Sequence, residues 1–491
     1  MYFIVYDFET TGLQPRFDQI LQGGFICYDQ DLNEISRLNI RSRINSDLVP
    51  SFGALKVTKL LLSDLLKEKN SHYEMLIKIS DYIESYKPAL FIGYNSIHFD
   101  EEFLRQSLWE VFKYPYTTSS KENFRGDVYG LTTMVHAFDP KVIKVGLNED
   151  GKKNFKLESL AKINSFKIES SHEAISDVIA TKEVMKLIKN KSNKLFKTFF
   201  DNTDITKLSK KIKENELFSM HAYYYSNHRV YLLTHLTDHP IYNNYSLSFD
   251  LRYNPLDFIK LNLNELKDIF FKKKIKPFRK IKLKKQPSIL DFSYALKFNP
   301  YHDNEENFYR ERCLHLRDEL FLENIKKILE REAESFEENK SQELSFEEET
   351  IYTKNVDFRD KVIMSEFQLV GWQEKWNFAV KFKDPRLRFF AAKHIYRNFP
   401  EFLPLKVFKF FHKKMSERFN SLKKEKFTTF PSAFEEADTF SLEIEENGAT
   451  EFEKKQLDQY NIYINFLNDY YNNPNAKPVK FNSDLSAKLF N

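Results

Sequence analysis

The chain has 491 residues, of which 42% are hydrophobic and 30% charged; this is material for about three domains with cores of their own and excludes a disordered or fibrous protein. Its 75 basic and 71 acidic residues leave a net charge of only +4, so a polyanionic partner would have to be met by a local basic patch. Glycine is scarce at 11 residues while aromatics reach 16%, which disfavours glycine-rich nucleotide loops. Cys27 and Cys313 are far apart and sit in no zinc-ligand spacing, as in a reduced, cytoplasmic protein. The start of the chain lacks a basic segment ahead of a long apolar one, and no run approaches the ~18 apolar residues of a membrane span.

In chain order, Tyr2–Phe8 reads as a buried strand with hairpin partners over Gln22–Asp29 and Glu34–Ile40. Helical periodicity follows over His72–Tyr86, a strand over Ala89–Tyr94, and helices over Asp100–Phe112, Leu131–Phe138, Leu157–Ile163 and His172–Lys189. Strands followed by alternating helices predict an α/β layer. Beyond Asn193 a hairpin pattern spans Met220–Leu236 and turns at Ser226-Asn227-His228. Strands over Tyr245–Leu251 and Ile281–Leu283, with a helix over Leu263–Phe271 between them, complete a small β-rich domain. Glu330–Thr350 is rich in Glu and Ser and reads as a solvated linker. Ile351 to about Tyr471 reads as helical, and the residues after Asn472 as frayed.

The chemistry concentrates in three segments. Asp7-Phe8-Glu9-Thr10-Thr11-Gly12 ends the first strand, and because i and i+2 share a face, Asp7 and Glu9 converge. Two adjacent carboxylates repel unless a cation separates them, so the pair is a seat for Mg²⁺ or Mn²⁺. Asn95-Ser96-Ile97-His98-Phe99-Asp100 brings a further acid at a helix start, and His172-Glu173-Ala174-Ile175-Ser176-Asp177 brings a histidine and an acid into another. Each alone has a plainer reading: a solvated strand end, a helix-capping acid, a surface histidine.

Together and in this order, the three segments resemble the DEDDh group of 3′→5′ exonucleases. The stretches Gly53-Ala54-Leu55-Lys56-Val57-Thr58, Gly93-Tyr94-Asn95 with Phe99-Asp100-Glu101-Glu102, Phe155-Lys156-Leu157-Glu158 and Tyr396-Arg397-Asn398-Phe399-Pro400 are similar to bacterial exonuclease I, which degrades single-stranded DNA. The resemblance implies an α/β ribonuclease-H-like nuclease domain (1–192), a Src-homology-3-like β-barrel domain (193–347) and an all-α C-terminal domain (348–491). It implies that Asp7, Glu9, Asp100 and Asp177 hold two Mg²⁺ ions, with Mn²⁺ a possible substitute, and that His172 takes the proton of the attacking water. Lys156 stands where the family has an arginine on substrate; it keeps the charge and loses the bidentate grip. Glu9, Thr10, Tyr94, Asn95 and Arg105 are implied substrate contacts, whereas Asp127 reads as a helix cap.

Lys272, Lys273, Lys274, Lys276, Arg279, Lys280 and Lys282, interleaved with apolar residues, read either as a solvated face or as a phosphate-tracking wall of a DNA groove. The family also implies binding of the acidic C-terminal tail of single-strand binding protein, for which Arg310, Arg312 and Arg317 are candidates. A monomer acting in DNA repair and recombination is the expectation. The competing readings are a DEDDh exoribonuclease or proofreading nuclease, and a non-catalytic single-stranded nucleic-acid-binding protein.

Overall fold

A computed structural model describes residues 1–120, 122–166, 173–272, 274–340 and 346–490, with the backbone alone for 336–340. Strand β1 (Tyr2–Thr10) is apolar on both faces, Phe3 and Val5 on one and Ile4, Tyr6 and Phe8 on the other, all buried. A strand of that kind needs a layer on each side, which makes it the centre of a sheet. The sheet order is β3-β2-β1-β4-β5. Strands β2 (Ile20–Tyr28) and β3 (Glu34–Arg41) run antiparallel to their neighbours, and β4 (Ala89–Gly93) and β5 (Phe124–Asp127) run parallel.

Helices α1 (Phe52–Thr58), α2 (Leu62–Lys67) and α3 (His72–Glu84) connect β3 to β4, and α4 (Asp100–Glu110) follows β4. The Ile4–Tyr6–Phe8 face packs on α3 and α4. The Phe3–Val5 face packs on α5 (Val128–Phe138) and, past the short ribbon β6 (Gly146–Leu147) and β7 (Lys153–Asn154) and helix α6 (Leu157–Ile163), on α7 (Ala174–Lys191). Helix α5 starts three residues before its apolar period because the Asp127 carboxylate caps it, accepting the Tyr129 N–H.

Helices α8 (Asn193–Asp201) and α9 (Ile205–Glu214) lead into the β-rich domain. Its strands β8 (Phe218–Tyr224), β9 (Asn227–Asp238), β10 (Tyr245–Asp250), β11 (Phe278–Lys282) and β12 (Ser288–Asp291) form an antiparallel sheet of order β11-β10-β9-β8-β12, with α10 (Leu263–Phe271) between β10 and β11. The hairpin turns at Tyr225-Ser226, one residue earlier than the polar cluster suggests, with φ of 52° and 59°. Positive φ at both central residues is what a two-residue hairpin requires, so Asn227 and His228 join the strand.

The linker expectation is corrected. After α11 (Glu306–His315), α12 (Glu319–Lys340) runs well into the Glu-rich stretch, and Phe321, Ile325, Ile328, Leu329 and Ala333 form a buried stripe against the β-domain. Glu330, Arg331 and Glu334 are exposed on the outer face of an amphipathic helix. Among the described residues seven further α-helices follow: α13 (Phe358–Leu369), α14 (Lys375–Ala379), α15 (Pro385–Asn398), α16 (Leu405–Phe419), α17 (Phe430–Asn447), α18 (Glu451–Asn472) and α19 (Ser483–Phe490). The expected frayed end is also corrected: Phe481 and Leu485 are buried, and the Ser486 hydroxyl donates to the Ser63 carbonyl.

These helices close the core of the first domain. Phe367, Leu387, Phe390 and Phe411 pack in one cluster with Ile4, Met75 and Leu108, while Phe52 and Leu65 pack with Tyr460 and Leu467. A buried ionic chain fastens the seam: Arg397 to Asp47 at 2.6 Å, Lys393 to Asp47 at 3.6 Å, and Glu348 to Lys393 at 2.6 Å and Arg418 at 3.1 Å.

Candidate active site

Asp7 and Glu9 leave β1 on the same side, and the neighbouring strand explains what can approach them. Asp7 pairs with Gly24 of β2. A Cβ on Gly24 would lie 2.7 Å from the Ala174 carbonyl carbon and the Ile175 nitrogen, so glycine is what lets the first turn of α7 rest on the sheet. That turn carries Asp177, where an acid also suits the positive end of the helix dipole. One carboxylate oxygen from each of Asp7, Glu9 and Asp177 then lies within 4.8 Å of the others.

Asp100, buried at the start of α4, accepts the Phe8 N–H at 3.1 Å, which anchors it to the backbone between Asp7 and Glu9. Burial and the charges of Asp100, Asp177 and Glu9 push Asp7 far above the ordinary carboxylate range. Burial first, then Asp177 and Asp100, push Glu9 up to about 8, against the opposing pull of Arg41. Burial pushes Asp100 to about 8 as well. Oxygen donors that cannot share one space as anions without a counter-charge fit a hard divalent cation.

Glu9 opens onto a cleft of about 710 Å³. Its floor is the Thr10–Gln14 turn and α1, and its far wall is the helical-domain segment around Lys426, Phe427 and Glu436. The Glu436 carboxylate accepts the Ser51 hydroxyl and the Phe52 and Gly53 N–H groups at 2.8–2.9 Å. It thereby caps α1 from across the cleft. Leu13 projects into this space and is 76% exposed.

The structure thus brings Asp7, Glu9 and Asp177 together with Asp100 beside them; His172 lies outside the described residues. Among the other expected contacts, the Lys156 side chain is exposed at the start of α6. Asn95 is exposed, in the left-handed region at φ 61°. The Thr10 hydroxyl is turned into its own loop and donates to the Gly12 carbonyl at 2.7 Å. The Tyr94 hydroxyl donates to the Phe155 carbonyl. Arg105 binds Glu101 at 2.8 Å, Glu102 at 2.9 Å and the Tyr352 hydroxyl at 3.3 Å, which engages both of its terminal nitrogens.

In the basic run, Lys273 lies outside the described residues. Lys272 pairs with Asp268, Arg279 with the buried Asp250 and Lys280 with Glu332, while Lys282 lies over the Tyr245 ring and Lys274 and Lys276 are exposed. Arg310 and Arg317 both bind Glu216 at 2.7 Å, and Arg312 donates to the Leu251 carbonyl. Gly24 is the functional residue that motif reading misses; a Gly23-Gly24 pair inside a strand of a glycine-poor chain is the signal that points to it.

Residues 4–185, which hold the mixed sheet and the four acids gathered at one strand, match the family described as Exonuclease. More particularly, the chain is related to bacterial exodeoxyribonuclease I. It is 33% identical to that protein of Haemophilus influenzae over 202 residues, a match covering 41% of this chain and 42% of the relative. The sequence match therefore spans less than half the relative's length. The fold likeness is wider: Escherichia coli exonuclease I in complex with a dA16 oligonucleotide superposes with TM-score 0.78 at 19% identity, over 95% of this chain and 99% of that one. An SSB/exonuclease I structure gives TM-score 0.76 at 19% identity over the same shares. These likenesses bear out the resemblance and the expected architecture at the level of a mixed sheet flanked by helices, a further antiparallel-sheet domain and a helical C-terminal region.

Proposed function

We propose that the chain is a divalent-metal-dependent 3′→5′ exonuclease that removes 5′-mononucleotides from single-stranded DNA, serving repair and recombination. The observation that carries this reading is the meeting of the Asp7, Glu9 and Asp177 carboxylates at the mouth of the cleft. Two divalent ions, Mg²⁺ or Mn²⁺, would activate water and neutralise the leaving oxygen when bound there. Asp7, Glu9 and Asp177 hold them, and Asp100 adds negative charge from its anchored position beside them. The cleft receives the 3′-terminal nucleotide, with the Thr10–Leu13 turn against it. Asn95 and Lys156 supply polar and cationic contacts to the strand. By its place in the motif, His172 is the residue that takes the water's proton; its replacement by Ala lowers kcat by about 10²–10⁴-fold and leaves metal affinity intact.

The test is digestion of end-labelled oligonucleotides, single- and double-stranded, DNA and RNA, with Mg²⁺ or EDTA. Release from the 3′ end of single-stranded DNA in Mg²⁺ alone, abolished by Asp7→Asn with DNA binding retained, is expected. Preference for RNA would transfer the assignment to an exoribonuclease. Full function in Asp7→Asn would make the chain a binding protein. An acidic peptide tail such as that of single-strand binding protein is the proposed partner of the Arg310–Arg317 cluster, in competition with Glu216. Glu216→Gln should tighten that peptide and Arg310→Ala weaken it.

A further inference from the structure

The connection between β11 and β12 lies against the nuclease sheet, close to the acids. Its Lys284 carbonyl accepts from Arg125 at 3.3 Å, and the Lys285 ammonium lies 3.4 Å from the His98 ring. Next in the chain, Gln286 is 8% exposed and in the left-handed region at φ 48°. Its side-chain oxygen accepts the Asp127 N–H at 2.7 Å. A non-glycine residue held in that conformation and buried is there because its surroundings over-determine it.

Asp127 in turn works on the active-site loop. Its carboxylate accepts the Asn95 N–H at 2.7 Å, the Ile97 N–H at 3.3 Å and the Tyr129 N–H at 3.0 Å. Asn95 and Ile97 belong to the turn that ends in Asp100, and Asn95 itself takes a positive φ. Two of these amides, those of Asn95 and Ile97, tie that turn to the Asp127 carboxylate, and the third ties the carboxylate to the start of α5. The main chain of Asp127 is fixed on one side by β5 and on the other by Gln286. Beyond the sheet's own hydrogen bonds, Gln286 of the β-rich domain supplies a further anchor.

We propose that Gln286 is a positioning residue for the nuclease site: through Asp127 it sets the 95–97 turn and hence the place of Asp100 beside Asp7 and Glu9. The barrel domain, on this account, completes the metal-binding geometry as well as widening the DNA-binding surface. The inference rests on the proposed metal-dependent reading of the four acids.

The test compares Gln286→Met, which keeps bulk and removes the amide, with Gln286→Glu, which keeps the accepting oxygen. Divalent affinity is measured by calorimetric Mn²⁺ titration without DNA, strand affinity in EDTA, and amide exchange by mass spectrometry. Loss of one buried hydrogen bond corresponds to about a fivefold effect. Gln286→Met should weaken Mn²⁺ about fivefold and speed exchange over Asn95–Ile97 by a similar factor, with EDTA-measured DNA affinity unchanged. Gln286→Glu should restore slow exchange. Wild-type Mn²⁺ affinity and exchange in Gln286→Met would overturn the proposal, as would equal loss of DNA affinity or faster exchange throughout the barrel, both of which mark a general fold contact. Failure of the underlying reading is separate, since wild-type protein would then bind no Mn²⁺ that Asp7→Asn abolishes.

Discussion

Substituting Gly24 by alanine adds one methyl group to the back of the site without touching any acid. The new Cβ would stand 2.7 Å from Ala174 C and Ile175 N and 2.9 Å from Ala174 O. Carbon contacts settle near ~3.5–4 Å, so the first turn of α7 must retreat by roughly 1 Å. These are backbone atoms of a helix already packed on β1 and β2, so no rotamer change can absorb the clash. Alanine in a strand would by itself favour folding by about 0.5–1 kcal/mol. Overpacking costs about 1–3 kcal/mol and outweighs it, so Tm should fall. Asp177 rides on the displaced turn, and a shift of ~1 Å in a catalytic array costs roughly 10²-fold in rate. Single-turnover cleavage of labelled single-stranded DNA, Mn²⁺ titration and a melt measure the three consequences. Gly146→Ala is the control, because its Cβ would meet nothing nearer than Ser159 Oγ at 3.5 Å. Wild-type cleavage together with an unchanged or raised Tm in Gly24→Ala would refute the argument that this close approach places Asp177.

In the metal-free protein, Glu9 and Asp100 titrate near 8 in place of the usual ~4.3 and ~3.9. The folded state then holds protons that the unfolded chain has released, so stability falls as pH rises from about 4 to about 8 and levels off above. Mg²⁺ should therefore raise Tm more at pH 8 than at pH 6 in parallel melts; an equal or larger gain at pH 6 would refute this. Burial pushes Glu348 up, but Lys393 and Arg418 hold it far below the ordinary carboxylate range. Glu348→Ala takes the carboxylate from the buried Arg418 and leaves the buried Lys393 with Asp47 alone, and should cost about 3–5 kcal/mol in urea melts. Lys156→Arg should tighten single-stranded DNA a few-fold through a bidentate phosphate grip, seen as a lower Kd at fixed salt.

The mixed-sheet layer is legible because its signals are local. The two-faced apolar run of β1, the periodicity of α3 and the exact span of Leu157–Ile163 need no knowledge of distant contacts. So is the convergence of Asp7 with Glu9, which follows from the pleat alone. The fate of the Glu-rich stretch is not, because α12 shows its stripe only once the β-domain is there to receive Phe321, Ile325 and Leu329. The pairing within the basic run and the arginine cluster is hidden for the same reason: Asp250, Glu332 and Glu216 come from elsewhere in the chain to meet Arg279, Lys280 and the two arginines, and only the Asp268–Lys272 pair is local. Composition counts charges but cannot see their partners. Gly24 and Gln286 carry no motif; they matter through what lies against them.

Because Phe367, Leu387 and Phe411 fill the same apolar cluster as Ile4 and Leu108, the first sheet has no finished interior until the helices that carry them are in place. A nascent chain emerging from the ribosome carries all four acids long before it can hold them still. A product cut short ahead of these helices would present sticky, unsheltered surface rather than a settled array of acids.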